Sequence, residues 1–164
     1  MRAEERKYRD QISGTAAPSS FEIKGKKAHY VTFSGLSILG PIHGGLLVLY
    51  DLGAAAPNPA CTGHTTIRIP ILLSSSTRAM TLLDGQIFMR DDVTSALFCL
   101  DPATGAFTMS LKGTFVGGMG KLAGATGAYE YKGSNQVLLQ DDFGAPFGGF
   151  SLETEGTLIL PDRR

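Results

Sequence analysis

The stretch that decides the fold is Gly113-Thr114-Phe115-Val116-Gly117-Gly118-Met119-Gly120-Lys121-Leu122-Ala123-Gly124-Ala125-Thr126-Gly127. It reads as a tight hairpin between two strands. Gly117-Gly118 permit the positive φ that such a turn demands. Gly120, Gly124 and Gly127 keep a strand slim where it bends or where another strand packs closely. Phe115 and Leu122 supply packing on either side.

Working outward, the whole chain shares this character. Glycine accounts for 21 of 164 residues, against a usual share of about 7%. Charged residues make up only 18%, below the usual quarter or so. That composition excludes a helical bundle, a coiled coil and a disordered acidic tail, and indicates a turn-rich all-β domain. Fifteen Lys+Arg balance fifteen Asp+Glu, for a formal net charge of +0. A general nucleic-acid binder or a polybasic membrane-surface protein needs a positive excess. No segment approaches the roughly 18 apolar residues of a membrane span. The N-terminus, Met1-Arg2-Ala3-Glu4-Glu5-Arg6-Lys7, lacks the apolar core of a secretory signal. The expected setting is cytoplasmic.

Residues 1–20 read as an appendage, a short charged helix at about 2–11 and a linker ending in Pro18-Ser19-Ser20. Residues 21–164 read as one β-domain. Its strands are expected near 21–25, 28–39, 45–51, 64–73, 80–90, 95–101, 105–116, 121–131, 135–141 and 147–160, with longer loops at 52–63 and 74–79. Alternation is clearest in Phe107, Met109 and Leu111, which share one face. Leu46–Tyr50 and Ile69–Leu73 are apolar on both faces, as happens where another subunit covers a barrel. Strands in meander order with short turns predict an antiparallel eight-stranded up-and-down barrel.

An internal similarity orients the barrel. Gln86-Ile87-Phe88-Met89-Arg90-Asp91-Asp92 parallels Gln136-Val137-Leu138-Leu139-Gln140-Asp141-Asp142. Each is read as a strand running into an Asp-Asp turn, and counting reversals puts both turns at one end, the top.

The segment from Gly113 to Gly127 resembles the hairpin of allene oxide cyclase-like and dirigent-like barrels, roughly G-x-[FY]-x-G-G-T-G-x-F-x-G-[AV]-x-G. Met119 replaces the usual Thr or Ser, and Leu122 the common Phe. The resemblance implies a calycin-like barrel with an apolar cavity. It also implies kinship with enzymes that fold a flexible intermediate for stereoselective cyclisation, including bacterial barrel cyclases of polyketide pathways and their [4+2] cycloadditions. Many such proteins are dimers or trimers, and none needs a metal or organic cofactor for ring closure.

Strand parity nominates the chemistry. Asp91 and Asp141 continue the inward phases of Ile87/Met89 and Val137/Leu139, while Asp92 and Asp142 point outward. A carboxyl at an apolar mouth is raised in pKa by desolvation and acts as a general acid or base. Tyrosine donates a hydrogen bond to a carbonyl or enolate oxygen without changing charge. Tyr30, Asp91 and Asp141 are therefore the candidate catalytic residues, and Tyr50, His64, Arg90, Met89, Phe107, Met109 and Phe147 the candidate substrate contacts. Phe147 belongs to a glycine-hinged lip, Phe143-Gly144-Ala145-Pro146-Phe147-Gly148-Gly149-Phe150. The bland alternative stays open, because Asp-Asp at a strand end is ordinary turn chemistry.

His29, His43 and His64 show no ligand spacing, so no metal site is expected. Nucleophile elbows and phosphate-cradling loops are absent from the sequence. Two cysteines are too few and too far apart for a disulfide framework. Cys99 is expected as a small buried hydrophobe and Cys61 as an exposed thiol. The leading expectation is a cofactor-independent cyclase or isomerase acting on a flexible apolar molecule, a polyketide or an oxidised lipid. It would work by holding reacting atoms in near-attack geometry and assemble as a homo-oligomer. The alternatives are a lipocalin-like carrier of a hydrophobic ligand and an assembly protein.

Overall fold

Period-two alternation organises the strands of this chain. In the strand Phe107–Gly120, Leu111, Gly113 and Phe115 are buried while Thr108, Lys112 and Thr114 are exposed. The computed structural model describes residues 3–16, 22–52, 56–57, 59–61, 67–68, 71–101, 103–140 and 146–162. Its strands are β1 (Glu4–Ala16), β2 (Glu22–Ile23), β3 (Lys26–Ser37), β4 (Gly40–Leu52), β5 (Ala56–Pro57), β6 (Ile67–Arg68), β7 (Ile71–Leu82), β8 (Gly85–Leu100), β9 (Phe107–Gly120), β10 (Thr126–Gln140) and β11 (Pro146–Leu160).

Eight long strands pair in chain order, β1-β3-β4-β7-β8-β9-β10-β11, and β11 returns to β1. Every pairing is antiparallel, so this is the closed up-and-down barrel expected from the sequence, and no helix occurs among the described residues. Closure leaves the long strands without an open edge. Short β2 flanks β3, and β5 and β6 extend from β8.

Inward-facing Ile42, Met80, Leu82, Ile87, Leu122, Ala125 and Leu158 are buried and seal the end that carries the β3–β4, β7–β8 and β9–β10 turns. At the opposite end Leu46, Val48, Phe107, Met109 and Asn135, on the inward phase, are only half-buried. That end is the top of the sequence reading.

Several expectations are corrected. Within the span expected as an N-terminal arm or helix, Glu4–Ala16 form β1, inserted between β3 and β11, so these residues belong to the barrel that was expected to begin at Phe21. Tyr8, Asp10 and Ile12 face inward while Lys7, Arg9 and Gln11 are exposed. The loop expected over 74–79 is the middle of β7, and the turn expected at Asp91-Asp92 lies within β8. A register shift between Asp92 and Leu97 lets β8 continue to Leu100. Removing two reversals leaves their parity unchanged, so β8 and β10 do run the same way.

The glycine-rich turn lies later than expected, at Lys121–Ala125, where Leu122 N–H donates to Met119 O and Ala125 N–H to Leu122 O. Gly117 instead forms a bulge with φ of 141° opposite Phe88/Met89, a backbone only glycine adopts easily. Cys61 and Cys99 are not separate thiols. They form a disulfide with a Cα–Cα distance of 5.6 Å, since the β6–β8 pairing of Arg68 with Cys99 draws the loop carrying Cys61 against the barrel.

Candidate functional site

A belt of polar side chains crosses the middle of the apolar interior. Asp10 on β1, Ser76 and Arg78 on β7, Asp91 on β8 and Thr154 on β11 are all buried. Tyr8, Tyr129 and Tyr131 join them and are equally buried. Each occupies the inward phase of its strand, between apolar neighbours such as Met80 and Leu82 on β7 or Ile12 on β1. The alternation that builds the wall therefore also aims these groups inward.

Asp91 is the hub. Tyr129 Oη donates to its Oδ1 at 2.6 Å, Ser76 Oγ donates to Oδ2, and Tyr131 Oη approaches Oδ2 at 3.4 Å. Tyr129 reaches across β9 to do so, over Gly113, which is register-paired with both residues. A Cβ at Gly113 would collide with the Tyr129 ring and lie 2.6 Å from the Arg90 carbonyl oxygen.

Arg78 is the one buried cation among the described residues. Its guanidinium lies 4.6 Å from the Tyr131 ring centroid and 5.9 Å from that of Tyr129, within cation–π range. Its Nη1 points to Thr154 Oγ1 at 3.5 Å, on the opposite wall of the barrel. Burial opposes its charge, but Asp91, the two tyrosines and Asp10 outweigh that and hold its pKa above the usual value.

Asp10 accepts from Tyr8 Oη at 2.8 Å through Oδ2. Burial raises its pKa, and the counteracting Arg78 charge and hydroxyl contacts from Thr154 and Tyr8 do not cancel this. Burial also drives the Tyr8, Tyr129 and Tyr131 phenols well above their ordinary range, assisted by Asp10 for Tyr8 and by Asp91 for the other two. The phenols thus stay protonated as neutral donors. Burial lowers the pKa of half-buried His29, near the top.

The sequence-nominated residues distribute unevenly over this framework. Asp91 and Met89 lie in the interior, and half-buried Phe107 and Met109 lie on the inward phase of β9. Phe107 packs against Phe98 with centroids 6.0 Å apart. Tyr50 is half-buried near the top end of β4, on the phase of Leu46 and Val48. Tyr30 is 55% exposed and lies over Gly45 on the outer face. Arg90 is exposed, opposite in phase to Met89 and Asp91. His64 and Asp141 fall outside the described residues, as does the Phe147 side chain.

Sequence reading missed Arg78, Asp10, Tyr8, Tyr129, Tyr131, Ser76 and Thr154. A signal existed for most of them. Tyr129 and Tyr131 alternate with exposed Glu130 and Lys132, and Ser76, Arg78, Met80 and Leu82 share one phase once 74–79 is read as strand.

No protein-family model matches the chain, and no curated protein matches it. Among solved structures it is similar to a pterocarpan synthase dirigent protein, with 10% sequence identity and a TM-score of 0.31, over 100% of this chain and 89% of that chain.

Proposed function

We propose that the barrel takes up one flexible, mostly apolar small molecule through its top end and steers its cyclisation or isomerisation without a cofactor. The observation that carries this reading is the polar belt inside an otherwise apolar interior. Structural need does not account for the belt, because well-packed apolar residues stabilise a core as well as buried ions do, or better. Its chemistry suits a reaction that moves no atoms to or from the protein. Burial raises the Asp10 pKa and so favours its hydrogen-bond-donating form, and fixed hydroxyl and guanidinium groups stabilise developing negative charge on oxygen. Apolar walls of Leu46, Met109 and Phe107 restrict the rest of the molecule to near-attack conformers. The likeness of the Gly113–Gly127 stretch to cyclase-type barrels supports the same reading.

Two further expectations belong to it. The outward positions Thr32, Ser34, Leu36, His43, Gly45, Leu47, Leu49, Thr77, Ala79 and Thr81 carry no Lys, Arg, Asp or Glu, whereas Lys7, Arg9, Lys112, Glu130, Lys132, Glu153 and Glu155 crowd the other half of the outer wall. A second copy of the chain is the partner for the uncharged half, with light scattering on the purified protein as the check. The Cys61–Cys99 bond favours an oxidising compartment over the cytoplasm expected from the N-terminus.

The test is native mass spectrometry with a panel of flexible apolar polyenes and oxidised lipids, followed by product analysis. Stoichiometric uptake with conversion to an isomer of equal mass supports the reading, and Asp10→Asn should retain uptake while slowing conversion. Uptake with unchanged release would make the barrel a carrier, and no uptake at all would remove the ligand site.

A further inference from the structure

Arg78 leaves one edge of its guanidinium without an acceptor. The guanidinium carbon lies over the Tyr131 and Tyr129 rings within cation–π range, and Nη1 is directed at Thr154. Nε and Nη2 are buried and find no acceptor among the described residues. Those two nitrogens form one edge of the guanidinium, with their N–H bonds nearly parallel, the fork by which arginine grips oxygen. The two acids nearby do not fill it. Asp91 is occupied by Tyr129, Ser76 and Tyr131, and Asp10 turns Oδ2 to Tyr8. A buried donor left without an acceptor forfeits its hydration for nothing, so two on one edge mark a place where an acceptor belongs.

We infer that the Nε/Nη2 edge of Arg78 binds and polarises a neutral carbonyl oxygen of the ligand, making ketones, enones and esters the preferred class and carboxylates a disfavoured one. This rests on the reading of the interior as a ligand site. A carbonyl oxygen has two lone pairs and accepts both N–H groups. The charge count decides between a neutral and an anionic ligand. Asp91 already serves as countercharge to Arg78, and the Asp10 carboxyl lies within its field as well. A bound carboxylate would therefore add a further acidic group to a buried site in which one cation already faces two carboxyl groups, and an uncompensated buried charge is strongly penalised. A neutral carbonyl meets both donors without disturbing that balance.

The experiment compares decan-2-one, decanoate and decane on the wild-type protein near neutral pH by calorimetry, and records the ketone carbonyl stretch by infrared difference spectroscopy. The ketone should bind more tightly than either competitor by roughly tenfold or more. Its carbonyl stretch should move to lower wavenumber in the complex. Arg78→Met should abolish the stretch shift and the preference while leaving residual apolar binding, and Arg78→Lys, which keeps charge but loses the fork, should restore only part of the shift. Decanoate binding tightest, or a bound ketone with an unshifted stretch, would overturn the assignment while leaving the interior as a ligand site. Equal affinity for all three would do the same. Failure of all three to bind would overturn the ligand site and this inference together. The wild-type comparison stands even if the Arg78 variants fail to fold.

Discussion

Tyr129 hydrogen-bonds Asp91 at 2.6 Å although a whole strand, β9, lies between the strands that carry them. The bond exists because the intervening residue is Gly113, whose missing side chain lets the phenol ring pass over the backbone. A wall position is thereby spent on access rather than on packing.

Gly113→Ala should therefore damage the belt from the wall side. The new methyl meets the Tyr129 ring and the Arg90 carbonyl oxygen, and overpacking of this kind costs about 1–3 kcal/mol. Urea unfolding should show that loss. Unchanged stability would mean that the ring has an alternative path.

Asp91→Ala should be the more severe change. It strands the hydroxyls of Ser76 and Tyr129 and removes the nearest countercharge of Arg78. Breaking a buried charged network from one side costs about 3–5 kcal/mol. Tyr129→Phe deletes a single hydrogen bond to a carboxylate and should cost about 1.5–3 kcal/mol. Ranking the two variants by chemical denaturation checks the hub assignment, which requires Asp91→Ala to be the worse.

The pH dependence of stability should carry the mark of Asp10. Its carboxyl pKa is raised in the folded protein, chiefly by burial. Below the ordinary carboxylate range, about 4, both folded and unfolded forms hold the proton and the contribution is fully present. As pH rises, the unfolded chain ionises first, so stability falls until the folded carboxyl ionises too. Asp10→Asn lacks this slope, and the stability of wild type minus variant should decline from about pH 4 upward. A difference that grows with pH would reverse the sign.

Reduction of Cys61–Cys99 should destabilise the barrel. The bond spans a sequence separation of 38, which the loop-entropy relation converts to about 4 kcal/mol. Melting with and without reductant measures the loss, and a Cys61→Ser, Cys99→Ser double variant should melt like the reduced protein and ignore reductant.

The barrel class was legible because the first part of β9 keeps apolar residues in and polar residues out, as Phe107, Met109, Leu111 and Phe115 alternate with exposed Thr108, Lys112 and Thr114. The inward phase of Asp91 could be counted from Ile87 and Met89. Legibility failed where the inside is polar. β1 carries Asp10 between Tyr8 and Ile12, and the middle of β7 offers Ser76 and Arg78 after a run of serines. There the apolar signal vanishes because the residues that define the candidate site replace those that would announce a strand. The disulfide was illegible for another reason: its pairing depends on β6 meeting β8, a long-range registration that spacing does not encode.

The register of β1 on β11 sets Glu4 beside Leu160, so the earliest and latest strands of the ring meet along a seam. During synthesis β1, the first strand of the ring, must wait for β11, the last, before its second flank is covered. Assembly is consequently tied to a contact of long sequence separation, the kind that slows folding. The seam also sets the outer ends of β1 and β11 side by side. A circular permutant joined across Glu4 and Leu160 and opened at the exposed Leu83-Asp84 turn should rebuild the same barrel with the closing step moved elsewhere.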